Sequence, residues 1–334
     1  MKFRILFSLL LLMNFCYSQK IKLLSSQTKS PIEGILLIKK NGEIVAKSDI
    51  NGEIEKSSIA TDDYYLLNHP TIETDTLFTK KITNNQYLVK QVREFTIPEV
   101  KVQNSQKKYV IVRGYFNSYV TNNGEFNIFV DGIMEFVFDR ETDKLKDKNI
   151  LEYRTYNVEN KKWDGKEMGT FVFDQNIKLP ELKKINNLSE EKNTNKVYNS
   201  VQDITLYETN LAKLENKEFK LFKFVFTNFQ QDEMYQFQGT KTKPTTLTNY
   251  SITTSLKLKL KTENDFSTLV FTSNFYPSSL SFKDKNEWTK GVNFDRKVSN
   301  YKTKFWEEDN FAKIYQFLST KFKNNFVESK NINY

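Results

Sequence analysis

Leu256-Lys257-Leu258-Lys259-Leu260-Lys261 alternates apolar and charged side chains with a strict period of two. Only an extended backbone puts every second side chain on one face, so this run specifies a strand with leucines buried and lysines solvated. Composition points the same way along the whole chain. It holds 28 Phe and 17 Tyr against 10 Gly, and aromatic richness with little glycine suits pleated, half-buried surfaces. The expected class is all-β.

Residues 19–103 read as short strands broken by turn signals. Ile35-Leu36-Leu37-Ile38 is a buried strand candidate, Asn41-Gly42 a hairpin turn, and Glu43 to Lys47 the returning strand. Asp49-Ile50-Asn51-Gly52 turns again before Glu53-Ile54, and Tyr64 to Leu67, Thr76 to Thr79 and Tyr87 to Val89 continue the series. Strands at spacings of roughly 8 to 12 residues describe a small β-sandwich.

Two of these segments carry a resemblance. Thr28-Lys29-Ser30-Pro31-Ile32-Glu33-Gly34, then a strand, then Ser48-Asp49-Ile50-Asn51-Gly52-Glu53-Ile54, is similar to the carboxypeptidase regulatory-like domain of secreted Bacteroidetes-type proteins. Phe95-Thr96-Ile97-Pro98-Glu99-Val100-Lys101-Val102 resembles the strand that often closes that module. The resemblance implies a seven-stranded transthyretin-like sandwich without peptidase chemistry.

Asn104-Ser105-Gln106-Lys107-Lys108 is polar and reads as a linker into a second region, 109–334. There Tyr109 to Tyr119, Phe126 to Val130 and Ile133 to Phe138 form a meander, with turns expected at Asn122-Asn123-Gly124 and Asp131-Gly132. Leu151 to Val158 and Thr170 to Phe173 extend it, and Lys178 to Val201 reads as a polar connection with one short helix near Ser189-Glu190-Glu191. Phe219 to Phe229 is expected as a single strand with Phe222, Phe224 and Phe226 on one face. Thr248 to Thr262, Leu269 to Asn274 and Ser279 to Phe282 follow as strands. Phe311, Ile314, Tyr315, Leu318 and Phe322 share one helix face, with Glu307, Glu308 and Asp309 at its start and Lys321 and Lys323 near its end. The expected architecture is therefore a larger antiparallel sheet or half-barrel with a C-terminal amphipathic helix. Gly114-Tyr115-Phe116 and Val130-Asp131-Gly132-Ile133-Met134-Glu135-Phe136 bear a faint likeness to proteins in which a lipoprotein-carrier-like half-barrel follows a regulatory-like module.

The address is read from MKFRILFSLLLLMNFCYSQK. Lys2 and Arg4 form a positive n-region, Ile5 to Phe15 an apolar core, and Cys16-Tyr17-Ser18 a small-residue site for cleavage after Ser18, giving a signal peptide of residues 1–18. Cys16 is also a possible lipoprotein acceptor, although Phe15 before it is bulky for that peptidase. The expected protein is exported, to the periplasm or the outer-membrane surface, with no transmembrane segment after cleavage. The net charge of +9 is spread along the chain and does not read as a nucleic-acid footprint.

Chemistry is bounded by what is scarce. The chain has one Cys and one His, His69, so thiolate or multi-histidine metal sites and a Ser-His-Asp triad have little to be built from. Leu67-Asn68-His69-Pro70 makes that histidine a strand-end residue. Asp139-Arg140-Glu141-Thr142-Asp143 lacks the glycine and spacing of a calcium loop and reads as a charged hairpin turn. No catalytic residue, cofactor or metal is assigned. Trp163, Trp288 and Trp306, with Tyr301 and Phe305, admit a sugar-stacking or lipid-rim reading beside the weightier one of packing. Lys257, Lys259 and Lys261 could meet anionic headgroups or acidic glycan, or merely protect the sheet from aggregation.

The reading favoured by sequence is a non-enzymatic cell-envelope protein that binds a lipid, glycan or protein partner, through Phe222, Phe224, Phe226, Trp288 and Trp306. A carboxylate-dependent hydrolase of envelope glycans and a surface-assembly or adhesion scaffold are the alternatives.

Overall fold

A computed structural model describes residues 20–39, 44–60, 63–69, 72, 76–91, 107–123, 125–158, 177–200, 203–213, 217–308, 311 and 326–333. The protein is all-β, and the chain divides into two compact units, with the described residues of 20–39 and 44–91 in the first and those of 107–333 in the second.

Among the described residues the first unit has seven strands: β1 Lys20–Ser25, β2 Leu36–Ile38, β3 Ile44–Lys47, β4 Glu53–Glu55, β5 Tyr64–Asn68, β6 Thr76–Phe78 and β7 Gln86–Val89. They form two sheets, ordered β4-β1-β7 and β3-β2-β5-β6. Ile21, Leu23, Ile54 and Val89 from one sheet meet Leu37, Tyr65, Leu67 and Leu77 from the other in a single core. The two segments that carry the family resemblance meet in space. Buried Ser48 accepts the Ile35 N–H through Oγ at 2.8 Å and donates to the Ile32 carbonyl at 2.8 Å. Asp49 Oδ1 accepts the N–H groups of Asn51 and Glu53 at 2.9 and 2.8 Å, closing the turn. Gly52 adopts φ +70°, and a Cβ there would lie 2.6 Å from the Leu23 carbonyl, so the turn needs glycine twice over. Asn41-Gly42 and the closing strand Phe95 to Val102 lie outside the described residues.

The second unit is built on one sheet of ten strands, every pair antiparallel. Its members are β8 Tyr109–Asn122, β9 Glu125–Asp139, β10 Leu145–Val158, β11 Thr194–Asn199, β12 Ile204–Lys213, β13 Phe219–Leu221, β14 Phe224–Gln238, β15 Leu247–Leu260, β16 Ser267–Lys283 and β17 Phe326–Glu328. The order is β11-β12-β14-β15-β16-β8-β9-β10-β17, with β13 pairing β14. Two meanders are thus joined by β16 and β8, which pair from Leu269↔Asn122 to Lys283↔Tyr109.

Several sequence expectations change here. Asp131-Gly132 is not a turn: β9 runs straight through it. A Cβ on Gly132 would lie 2.2 Å from the Glu152 carbonyl and 2.8 Å from the Phe116 ring, so glycine marks a close approach inside the sheet. Leu269 to Phe282 is one strand with a register shift between Pro277 and Ser279 rather than two. Phe219 to Phe229 is not one strand either, as it breaks into a hairpin at Phe222-Lys223. Lys107 and Lys108 belong to the second unit: Lys107 Nζ meets Asp284 at 2.6 Å and Glu287 at 3.0 Å, and the Lys108 carbonyl accepts the Arg140 N–H at 3.0 Å. The expected helix face lies outside the described residues apart from Phe311, which is buried, as do Trp163 and Thr170 to Phe173.

The polar stretch after Lys178 does more than connect. Leu182, Ile185 and Leu188 are buried against Phe116, Phe136, Tyr207, Tyr235, Tyr250 and Phe275 on one face of the sheet, forming a strap across it. Burying each such aliphatic chain contributes about 1.5–3 kcal/mol. The strap consists of turns and one 3-10 turn at Leu188–Glu190. Ordering its backbone costs about 1–2 kcal/mol per residue, so its side-chain anchors matter. On the opposite face Tyr115, Ile133 and Tyr276 pack under Tyr301, Phe305 and Phe311. The sheet is covered on both sides.

Candidate functional site

Period-two alternation sorts the end of the sheet where β13 turns into β14 and β15 into β16. Pairing Phe219↔Phe226, Leu221↔Phe224 and Phe226↔Leu258 puts these apolar chains on one face, while Lys220, Lys257 and Lys259 fall on the other. Leu258 is fully buried in a cluster with Val120, Ile128, Leu269 and Phe271, and Phe224 and Phe226 pack half-buried against it. Two sequence-predicted residues, Phe224 and Phe226, are therefore brought together as the partly covered rim of a core.

Phe222 departs from its expected place. It occupies the hairpin turn itself, 85% exposed, beside Phe219 at 50% and Leu221 at 44%. Its φ is +49°, a left-handed conformation that costs an L residue roughly 1–2 kcal/mol, and two-residue hairpins ordinarily put Gly, Asn or Asp there. A strained, exposed phenylalanine at a turn is explained neither by turn chemistry nor by packing. The two hairpins are tied together, since Lys261 N–H donates to the Lys223 carbonyl at 2.9 Å. Lys259 Nζ lies 4.6 Å from the Phe266 ring centre and donates to the Asn264 carbonyl at 3.1 Å.

Trp288 and Trp306 are not at this end and are not brought together with the phenylalanines. Trp306 packs edge-on to Tyr301 and Phe305, with ring centres 4.9 and 5.2 Å apart, and the Arg154 guanidinium sits 4.2 Å from its ring centre. These contacts pack Trp306 against the Arg154 and Phe305 cluster, while the residue stays partly exposed. Trp288 stands edge-on to Tyr109 at 4.9 Å, with a buried Nε1 that makes no hydrogen bond.

Two polar constellations were missed by sequence reasoning. Glu233 is buried on the strap face, where Oε1 accepts the hydroxyls of Tyr235 and Tyr250 at 3.0 and 3.1 Å and Oε2 meets Lys184 Nζ of the strap at 3.0 Å. Burial first, then the Tyr250 phenol and Glu233 for Tyr235, and Glu233 for Tyr250, holds both tyrosines well above their ordinary range, so they stay protonated donors. Both carboxylate oxygens are thereby engaged, Oε1 within the sheet and Oε2 by the strap. Asp131 and Arg154 form the second, on the opposite face. A charge inside a long apolar strand is the signal that could have found either.

Asp139 Oδ1 accepts the N–H groups of Glu141 and Thr142 at 3.2 and 3.1 Å, closing the charged hairpin. Among the described residues no three His, Cys, Asp or Glu side chains converge as metal ligands, and no helix is long and apolar enough to cross a membrane.

No protein-family model matches the chain, and no curated protein matches it. Among solved structures the chain is similar to one described as lipid-protein interactions in lipovitellin, at 8% identity and a TM-score of 0.24. That similarity covers 57% of this chain and 27% of the other. A likeness at that score carries no argument.

Proposed function

We propose that this chain is an exported, non-enzymatic protein of the cell envelope, in which a carboxypeptidase regulatory-like sandwich precedes a second unit that binds lipid. Phe222 carries the lipid reading. Among the described residues nine large apolar side chains are exposed, and Phe219, Leu221 and Phe222 are three of them within four positions. Scattered exposed apolar residues need no explanation, but a cluster at a strained turn, continuous with a buried core, is the signature of an interaction site. Transferring each such side chain out of water is favourable by roughly 1.5–3 kcal/mol. A glycan would ask for directed donors and acceptors around an aromatic face, whereas the large apolar side chains exposed beside Phe222 are Phe219 and Leu221. The two packed sheets and the Ser48-Asp49 turn support the family reading of residues 19–103.

Flotation of the purified protein with vesicles made from total envelope lipid tests this, run beside an assay for sugar or fatty acid released from envelope extracts. Co-flotation without product is the expected result. Turnover abolished by one Asp or Glu substitution in a folded protein would overturn it in favour of a hydrolase.

A further inference from the structure

The lipid reading leaves open how the protein meets its lipid, as single molecules or as a surface, and in which orientation. Resting on that reading, we infer that the β13–β14 and β15–β16 hairpin ends form a docking surface for an anionic bilayer: Phe222 and Leu221 enter the hydrocarbon boundary while the flanking lysines lie at the level of the lipid phosphates.

Two independent features of the same end support the inference. The first is apolar and sits at the extremity. Phe222, on the turn, is the most exposed of the large apolar side chains among the described residues, and Phe219 and Leu221 follow it on one face of β13. The second is electrostatic. Residues 217–223 and 257–266 hold six lysines, Lys217, Lys220, Lys223, Lys257, Lys259 and Lys261, against the acids Glu218, Glu263 and Asp265. Glu263 accepts the Leu260 N–H at 2.7 Å, and Glu218 is matched by Lys220 at 3.8 Å. A positive margin remains around the apolar tip.

The period-two pattern makes this arrangement unavoidable once the strands pair. Lysines and apolar chains alternate along β13 and β15, so the end of the sheet has one apolar face and one basic face, crossed by a turn that carries Phe222. An apolar wedge framed by basic stems is how interfacial segments partition into the headgroup boundary, with the lysine stems reaching back to the phosphates. The backbone hydrogen bond from Lys261 to Lys223 ties the two hairpins together at this edge. The strands would then stand with this end toward the membrane.

The test uses phosphatidylcholine vesicles with and without phosphatidylglycerol. The protein is expected to float with the anionic vesicles and to be released by salt. Phe222→Ser, which removes an exposed apolar side chain and leaves the core intact, should weaken that binding about tenfold or more with an unchanged unfolding midpoint. Lys257→Gln combined with Lys259→Gln and Lys261→Gln should weaken it and flatten the salt dependence. An environment-sensitive probe on Phe222→Cys, in a Cys16→Ser background that removes the chain's one native cysteine, should report an apolar setting on anionic vesicles. If Phe222→Ser binds like the parent and the probe stays in water while envelope lipid still floats the protein, the docking surface is wrong and the lipid reading stands. Absence of flotation with every vesicle overturns both. Loss of self-association in Phe222→Ser, without vesicle binding by the parent, reassigns the tip to a second copy of the chain.

Discussion

Arg154 grips Asp131 at two points across the β9–β10 ladder, Nε to Oδ1 at 3.0 Å and Nη2 to Oδ2 at 2.6 Å. Asp131 is 1% exposed. The guanidinium is also ringed by Trp306, Phe305, Tyr156 and Phe311, at 4.2 to 5.7 Å from their ring centres. Burial pushes the Asp131 carboxyl up, against the pull of Arg154. The pair is thus worth having only intact.

Arg154→Met should therefore lose about 3–5 kcal/mol of stability, because a buried carboxylate is left without its partner. Adding Asp131→Leu to that variant should recover most of the loss. Urea unfolding of both variants checks this, and a double variant no better than the single one would contradict it.

Gly132→Ala drives a methyl group into the Glu152 carbonyl and the Phe116 ring, and should cost roughly 3 kcal/mol. Gly239→Ala is the contrasting case. Its Cβ would find open space apart from Asp203 at 3.8 Å, but φ is +73°, so about 1 kcal/mol is expected. Thermal or denaturant midpoints that rank the two in the reverse order would refute the close-approach account.

Lys184→Ala releases the strap from Glu233 and leaves a buried carboxylate held by two phenols alone. A stability loss of about 1–3 kcal/mol is expected, together with faster proteolysis between Lys183 and Lys192. Cleavage unchanged in rate would mean that Leu182, Ile185 and Leu188 hold the strap without help.

Burial, and after it the positive charge of Lys47, lowers His69 from its ordinary 6.5 to about 3. Between those values the unfolded chain takes up a proton that the folded chain refuses, so stability rises with pH across the window. The contribution is complete above about pH 6.5 and is lost as pH falls toward 3. The ring keeps partial solvent contact, which limits the effect to on the order of 1–3 kcal/mol. His69→Gln should flatten the acid limb of the stability profile of the first unit, and an unchanged limb would sink the assignment.

Local pattern alone determined the all-β class, the strand at Leu256 to Leu260, the turn from Ser48 to Gly52 and the charged hairpin at Asp139, because each depends on contacts within a few residues. It also singled out Phe222, Phe224 and Phe226, though it set all three on one strand face. Only tertiary structure decided that β16 pairs with β8 more than 140 positions away, and that Asp131-Gly132 lies inside a strand. The glycine there answers to the Glu152 backbone and the aspartate to Arg154, and neither neighbour is visible locally. The strap is the same kind of case: Leu182, Ile185 and Leu188 sit among lysines and asparagines, so their burial depends on a sheet face assembled from distant strands. At the hairpin tip the alternation of Phe, Lys and Leu is a local fact, while the turn that lifts Phe222 into solvent comes from β13 folding back onto β14. Periodicity says which side chains share a face; what that face meets is settled by long-range pairing, whose free energy no short window of sequence contains.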